Sequence, residues 1–230
     1  MRVADFPADE LRKVARDEAV CYRLPSFQKV QFFRDGFYKL VPTAGAPTIE
    51  ISGVRMHRTK EMTPWPDTEA KLDAVKPVIG RVLDTTTGLG YTAILAARSA
   101  SHVLTIERDP SVAAIAEENP WSRELFGSPK IERRIGDSAE VVPTLPEGAF
   151  DRIVHDPPTL ALAGELYGLA FYRELRRVLR PGGRLFHYTG APGRARGRDL
   201  PSGVAQRLRE AGFVRVQPRP EALGVAAANP

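Results

Sequence analysis

The 230 residues are 43% hydrophobic and 27% charged, the balance of a soluble globular chain long enough to bury an α/β core. No apolar run approaches the ~18 residues needed to cross a bilayer. The opening MRVADFPADELRK lacks the apolar centre of a signal peptide, so the expected location is the cytoplasm, with no membrane partner. The single cysteine, Cys21, excludes an internal disulfide and a cysteine-built zinc cluster, and no metal site is expected. The net charge of +5 is unevenly spread. Basic against acidic residues number 13 and 11 over residues 1–77, 9 and 14 over 78–175, and 11 and 3 over 176–230. An acidic middle before a basic tail suits a polyanionic partner beside a more acidic site. The excess of Arg (26) over Lys (7) also reads as the habit of the host genome.

Residues 6–20 have the spacing of a polar helix, with Leu11, Val14, Ala15 and Ala19 on one side. From Phe27 to Arg58 the texture turns to β, with an Asp35-Gly36 hairpin signal and short strands around Gly53. The Pro-rich link Thr63–Thr68 ends this part, and Asp67 or Thr68 is placed to cap a helix through about Val75. Met56, His57, Trp65 and Asp67 are unusual for a linker and read either as a cover over a pocket or as a structured hinge. Residues 1–66 are therefore expected to form a small β-rich appendage that recognises substrate, and 67–230 the main domain.

Beyond it strands are expected at 81–84, 102–106, 130–135, 150–155 and 183–189. Helices are expected at 91–99, 110–118, 138–144, 164–180 and 201–211, and closing strands at 213–217 and about 221–227. This alternation predicts a doubly wound, mostly parallel sheet, whose ligands sit at the carboxyl ends of its strands. Those ends carry the chemistry. RVLDTTTGLGYTA ends a strand in Asp84, then turns through Gly88 and Gly90 into a helix opening at Tyr91, so that free backbone N–H groups face a ligand. Glu107 ends the next strand about 20 residues on, where a carboxylate can accept both hydroxyls of a ribose. Gly136-Asp137-Ser138 follows the third, where Asp137 or Ser138 can receive an exocyclic amine. Asp156-Pro157-Pro158-Thr159 follows the fourth. Singly, these acids read as caps, turn formers or surface residues. Four in register at the ligand-binding end read as a site.

On these residues the chain resembles the class I, seven-stranded Rossmann-like S-adenosylmethionine-dependent methyltransferases, over roughly residues 78–230. The family's acidic-then-glycine motif stands here as Asp84, Thr86, Gly88 and Gly90, with Thr86 replacing the first glycine. The Arg180-Pro181-Gly182-Gly183 turn also resembles the family's entry to its fifth strand. The resemblance implies S-adenosyl-L-methionine as cofactor, its ribose on Glu107, its adenine on Asp137 with Ser138, and its methionine end on Asp84, Thr85, Thr86 and the Gly88–Tyr91 backbone. A nicotinamide dehydrogenase is the nearest rival, but Ala93 stands where its third glycine is wanted.

The Asp156-Pro157-Pro158 motif resembles the Asp/Asn-Pro-Pro-aromatic motif of methyltransferases acting on exocyclic or planar nitrogens. Such a nitrogen is a poor nucleophile because its lone pair is delocalised. A carboxylate and a backbone carbonyl accepting its N–H groups aim it at the methyl donor, and the prolines fix the loop. Asp156 is the expected catalytic acceptor, near enough to touch cofactor as well. Thr159 stands where the family places a stacking aromatic, so Tyr167, Tyr91, Trp65 and Phe171 are candidates for that platform. His155 reads as a packed strand residue. Arg194, Arg196 and Arg198, in a Gly/Pro-rich loop, suit phosphate contacts or simple solvation.

LDTTTGLGYTA, VHDPPT, AGELYG and RLFHYTG also resemble a group of predicted archaeal-type methyltransferases. The resemblance points to methylation of an exocyclic base nitrogen in RNA, cytidine N4 of ribosomal RNA first and transfer RNA next. A small-molecule or protein methyltransferase, a related aminopropyl transferase and a non-catalytic RNA-binding factor remain open.

Overall fold

The computed structural model describes residues 6–190 and 199–230. Helix α1 (Ala8–Arg16) opens the chain, shorter than the periodicity suggested. The Asp17 carboxylate ends it by accepting from Ala19 N and the Tyr22 hydroxyl. Strands β1 (Tyr22–Arg23) and β2 (Gln28–Lys29) form a small ribbon. Strands β3 (Gln31–Phe33), β4 (Phe37–Val41), β5 (Thr48–Ile51) and β6 (Val54–Arg55) form a four-stranded antiparallel sheet, with Asp35-Gly36 at its first hairpin.

Helix α2 (Pro64–Asp73) begins earlier than the expected cap at Asp67 or Thr68. Pro64 has no N–H to lose at the first helical position and its φ is already helical, so Thr63 becomes the N-cap. Asp67 is thereby moved inside the helix, its carboxylate free for other partners. The alternation then runs β7 (Arg81–Asp84), α3 (Tyr91–Ala97), β8 (His102–Glu107), α4 (Pro110–Glu117), α5 (Arg123–Gly127), β9 (Ile131–Ile135), α6 (Ser138–Thr144) and β10 (Phe150–His155). It ends with α7 (Leu169–Val178), β11 (Leu179–Tyr188), α8 (Leu200–Glu210), β12 (Val214–Arg219) and β13 (Gly224–Ala228).

Two expectations are corrected here. The helix expected over 164–180 is a 3-10 turn, Gly164–Tyr167, and then α7, separated by extended Gly168. The strand expected from 183 starts at Leu179, and the Pro181-Gly182-Gly183 turn is a bulge within it: the register with β10 jumps from Phe150↔Leu179 to Arg152↔Arg184.

The seven-stranded sheet has the order β12-β13-β11-β10-β7-β8-β9. All neighbours are parallel except those of β13, which runs antiparallel between β11 and β12. The chain leaves β9 at one edge and returns as β10 on the other side of β7, so the strand order reverses beside β7 and opens a crevice there. The strands flanking that crevice are buried on both faces, as helices on either side require: all six residues of β10 are buried. One apolar cluster joins Val30, Tyr38, Leu40 and Ile49 of the small sheet to Leu72, Tyr91 and Ile94 of the α/β layers. The N-terminal segment thus packs on the sheet at its ligand-binding end, and the Tyr38 hydroxyl donates to Asp109 Oδ2 at 2.6 Å. No helix among the described residues is long and apolar enough to cross a membrane.

Candidate active site

Gly90 starts α3 in the left-handed region at φ +79°, and a Cβ there would lie 2.5 Å from buried Leu125. Gly88 is also left-handed, at φ +54°, but a Cβ on it would meet nothing within 4 Å. Only glycine makes both turns without strain. Gly88 leaves open room directly above the loop, and its N–H donates to Glu107 Oε2 at 2.8 Å. Asp109 N donates to the other Glu107 oxygen at 2.9 Å. Burial raises the Glu107 pKa even so.

Asp84 lies fully buried beneath this loop. It accepts from Thr105 Oγ1 at 2.8 Å, and burial pushes its pKa up to about 7. Asp137 caps α6, taking the Ala139 N–H at 2.8 Å, and Arg108 approaches its second oxygen at 3.4 Å. A carboxylate at the end of β8, a second at the N-terminus of α6 and an open glycine turn fit S-adenosylmethionine. These residues would hold its ribose, its base and its amino-acid end respectively.

Asp156 follows β10, and its surroundings were not foreseen. Lys71, on α2, places its ammonium 2.6 Å from Asp156 Oδ2 and 2.8 Å from Asp67 Oδ2. The Lys71 side chain is 4% exposed and that of Asp156 23%. Arg58 pairs in turn with Asp67 at 3.0 Å, and the Tyr188 ring lies 4.2 Å from the Lys71 nitrogen. Burial works to discharge the lysine, but Asp156 and Asp67 outweigh it and raise its pKa. Asp156 is itself pushed up by burial and pulled back by Lys71. The four side chains make an alternating row of two cations and two anions, neutral in sum.

The loop of the motif is pinned from two sides. Thr86 Oγ1 donates to the Asp156 carbonyl at 2.7 Å, and the Tyr167 hydroxyl to the Pro158 carbonyl at 2.9 Å. Thr86, the departure from the glycine pattern, is the link between the loop after β7 and the motif. Pro157 is buried, while Pro158 and Thr159 are exposed at the mouth.

Several expected contacts are redirected. Tyr91 is 2% exposed, and its hydroxyl donates to Pro47 O and accepts from Asn119, so its side chain is core and not a platform. Tyr167 is a buried buttress of the motif loop and not a stacking surface. Thr85 Oγ1 is bonded to His155 Nδ1 at 2.7 Å, and Ser138 Oγ donates to the Thr85 carbonyl. Thr85 is fully buried and its N–H donates to the Val154 carbonyl, so the contact with a cofactor expected of it is not available, and the Ser138 hydroxyl is likewise committed. Phe171 is packed against His155, and Trp65 between Tyr91 and Trp121. His155 is fully buried in β10, as its strand position implied. Arg194, Arg196 and Arg198 lie outside the described residues. An aromatic that does meet the Asp156–Lys71 pair is Tyr188, at the end of β11 and one strand away. Its signal was the strand pairing that sets His187 opposite His155. Among the described residues no group of three or more His, Cys, Asp or Glu is arranged to hold a metal ion.

Comparison with known proteins adds a family to this geometry. The family described as "Methyltransferase domain" matches residues 83–187, which run from the end of β7 to near the end of β11. An uncharacterized protein of Methanocaldococcus jannaschii is 50% identical, covering all of this chain and 82% of that protein. The release factor glutamine methyltransferase of Cereibacter sphaeroides is 32% identical over 75% of this chain and 67% of its own length. Among solved structures, the spermidine synthase of Thermotoga maritima superposes with a TM-score of 0.66 at 17% identity, over 86% of this chain and 70% of that one, a likeness of fold.

Proposed function

We propose that this chain, which belongs to the class I S-adenosylmethionine-dependent methyltransferases, methylates an exocyclic amino nitrogen of a base in RNA. The favoured target is cytidine N4 of ribosomal RNA, with transfer RNA next. The observation that carries this reading is the pairing of Asp156 with buried Lys71. Because the row Arg58–Asp67–Lys71–Asp156 is already neutral, it favours an uncharged acceptor. A base amine is uncharged at neutral pH. A polyamine is a multiple cation and would need unpaired carboxylates, which argues against aminopropyl transfer despite the shared fold.

Bound S-adenosylmethionine supplies an electrophilic methyl group on a sulfonium. The protein's part is to aim the nucleophile. Among the described residues no donor reaches Asp156 Oδ1, so this oxygen can accept one N–H of the acceptor, with a carbonyl of the proline pair accepting the other. Accepting both draws the nitrogen toward a pyramidal shape and localises its lone pair. The two pinned carbonyls and the buried Pro157 keep the loop from shifting as the acceptor enters. The basic C-terminal section, including Arg194, Arg196 and Arg198, supports an RNA backbone as the bearer of the base.

A second reading follows from the Cereibacter relative: a glutamine side-chain amide in a protein is also neutral and planar and would meet the same acceptors. One experiment separates them. Labelled methyl transfer is measured into RNA, protein and small-molecule fractions from a strain lacking the gene, with Asp156→Ala as control. Label on an exocyclic base nitrogen, lost in the variant, supports the RNA reading. Label in protein alone replaces it with the amide reading, and no label in any fraction with cofactor bound refutes both.

A further inference from the structure

We infer that Lys71 is a positioning residue for methyl transfer: it holds Asp156 through Oδ2 and leaves Oδ1 as the oxygen presented to the acceptor nitrogen. The inference rests on the reading of Asp156 as the acceptor-binding carboxylate.

Four features of the geometry lead to it. The ammonium is caged, with Asp67 at 2.8 Å, Asp156 at 2.6 Å and the Tyr188 ring at 4.2 Å. One N–H bonds Asp156 Oδ2, while Asp67 and the ring face the ammonium as charge and π partners. Asp67 is fixed by Arg58 at 3.0 Å, and that guanidinium also donates to the Glu221 carbonyl at 3.3 Å, so the cage is anchored on both sides. Lys71 and Asp67 sit one turn apart on α2, which buries Leu72 in the core, so the ammonium cannot drift without moving the helix. Finally, a buried ion pair is a poor way to gain stability, since apolar side chains of similar size commonly do as well. A lysine sunk to 4% exposure beside the motif carboxylate has a purpose that packing alone does not supply.

The carboxylate would otherwise be free to turn, and its burial would favour the protonated form, which cannot accept from two directions. Lys71 opposes that effect of burial and, through its bond to Oδ2, sets the plane of the carboxyl group. α2 precedes the residues that carry the methyltransferase pattern, so the catalytic constellation is completed from outside that pattern.

A merely structural clamp and a positioning group differ in one readout, the pH dependence. Lys71→Met, Lys71→Gln and Lys71→Arg are compared with the wild type for methyl transfer between pH 5 and 9, with cofactor affinity measured by calorimetry. The expected result for Lys71→Met and Lys71→Gln is an acid limb of kcat moved up by about one pH unit or more, and a kcat at pH 7 lowered about tenfold or more. Cofactor affinity should stay within about threefold, and Lys71→Arg should restore most of the profile. A loss of rate by one common factor at every pH, or no loss, overturns the inference.

A second measurement needs no methyl acceptor. In protein carrying 13C-labelled aspartate, the Asp156 carboxyl signal is identified by its absence in Asp156→Asn and titrated. Its midpoint should rise in Lys71→Gln, and an unmoved midpoint refutes the role of Lys71. If the wild type methylates nothing while this midpoint moves, the proposed reaction has failed and the hold of Lys71 on Asp156 has not.

Discussion

The imidazoles of His155 and His187, opposite each other in the register of β10 and β11, meet edge to face with centroids 4.4 Å apart. Both are fully buried, and their partners fix their tautomers. His155 Nε2 lies 3.0 Å from the Leu166 carbonyl, which can only accept, so Nε2 carries the proton and Nδ1 accepts from Thr85 Oγ1. His187 Nδ1 lies 2.8 Å from the Tyr188 carbonyl, so Nδ1 carries the proton and Nε2 accepts from the Tyr172 hydroxyl. A second proton on either ring would reverse its hydroxyl bond, so that Thr85 or Tyr172 accepts, and would place a charge where burial disfavours it. This neutral pair immediately precedes Asp156 and Tyr188 in the two neighbouring strands.

A pH dependence of stability follows. Burial lowers the His155 pKa from 6.5 to about 4, and His187 is lowered as well. Between those values the unfolded chain binds more protons than the folded one. The contribution of His155 is therefore complete above about pH 6.5 and is lost as pH falls toward 4, by about 3 kcal/mol at most. Asp84, raised to about 7, works in the opposite sense, being destabilising as pH rises from about 4 to 7. The expected outcome of urea unfolding across pH 4–7 is that the slope of stability against pH is less positive in His155→Gln than in the wild type, whatever the sign that Asp84 gives the total. An unchanged slope would refute the assignment of neutral His155 to this effect.

The two glycines of the loop should fail differently. In Gly90→Ala the new Cβ would lie 2.5 Å from Leu125, at a φ of +79°, so strain and overpacking combine to cost about 2–4 kcal/mol. In Gly88→Ala only the φ of +54° is strained, at a cost of about 1 kcal/mol, but the methyl enters the space assigned to the cofactor. Denaturant unfolding and cofactor calorimetry should place the larger stability loss at Gly90 and the larger affinity loss, relative to stability, at Gly88. The reverse pattern would remove Gly88 from the binding surface.

Much of this architecture was legible because its signals are local. The period of the apolar residues marked the strands and helices. The acids at the strand ends were placed by counting from them, and β7, β8 and β10 present Asp84, Glu107 and Asp156 where the alternation implies. What escaped depends on distance. Nothing near Lys71 in the sequence says that it meets a carboxylate 85 positions later. The start of α2 was misread because Asp67 was given the role of cap, when Pro64 already supplied a helical φ. Tyr167 and Tyr91 look alike as aromatics beside a site, and only their hydroxyl partners separate buttress from core. The 164–180 pattern is continuously helical in period, and Gly168, held extended, breaks it.

The last prediction concerns the motif loop, held by two hydroxyls from separate elements. Thr86 Oγ1 bonds the Asp156 carbonyl and the Tyr167 hydroxyl the Pro158 carbonyl, so the loop is pinned on both sides of Pro157. Thr86→Val and Tyr167→Phe each delete one hydroxyl at little change of shape, costing about 1 kcal/mol of stability apiece. The effect on turnover should be larger, about tenfold in kcat for each with the KM for S-adenosylmethionine little changed, because small displacements of an aiming group are expensive. Both hydroxyls restrain one short loop, so freeing it once should remove most of the benefit. The double variant should lose clearly less than the product of the single losses. Strictly multiplicative losses would mean that the two bonds support separate features and that the loop is not held as a unit.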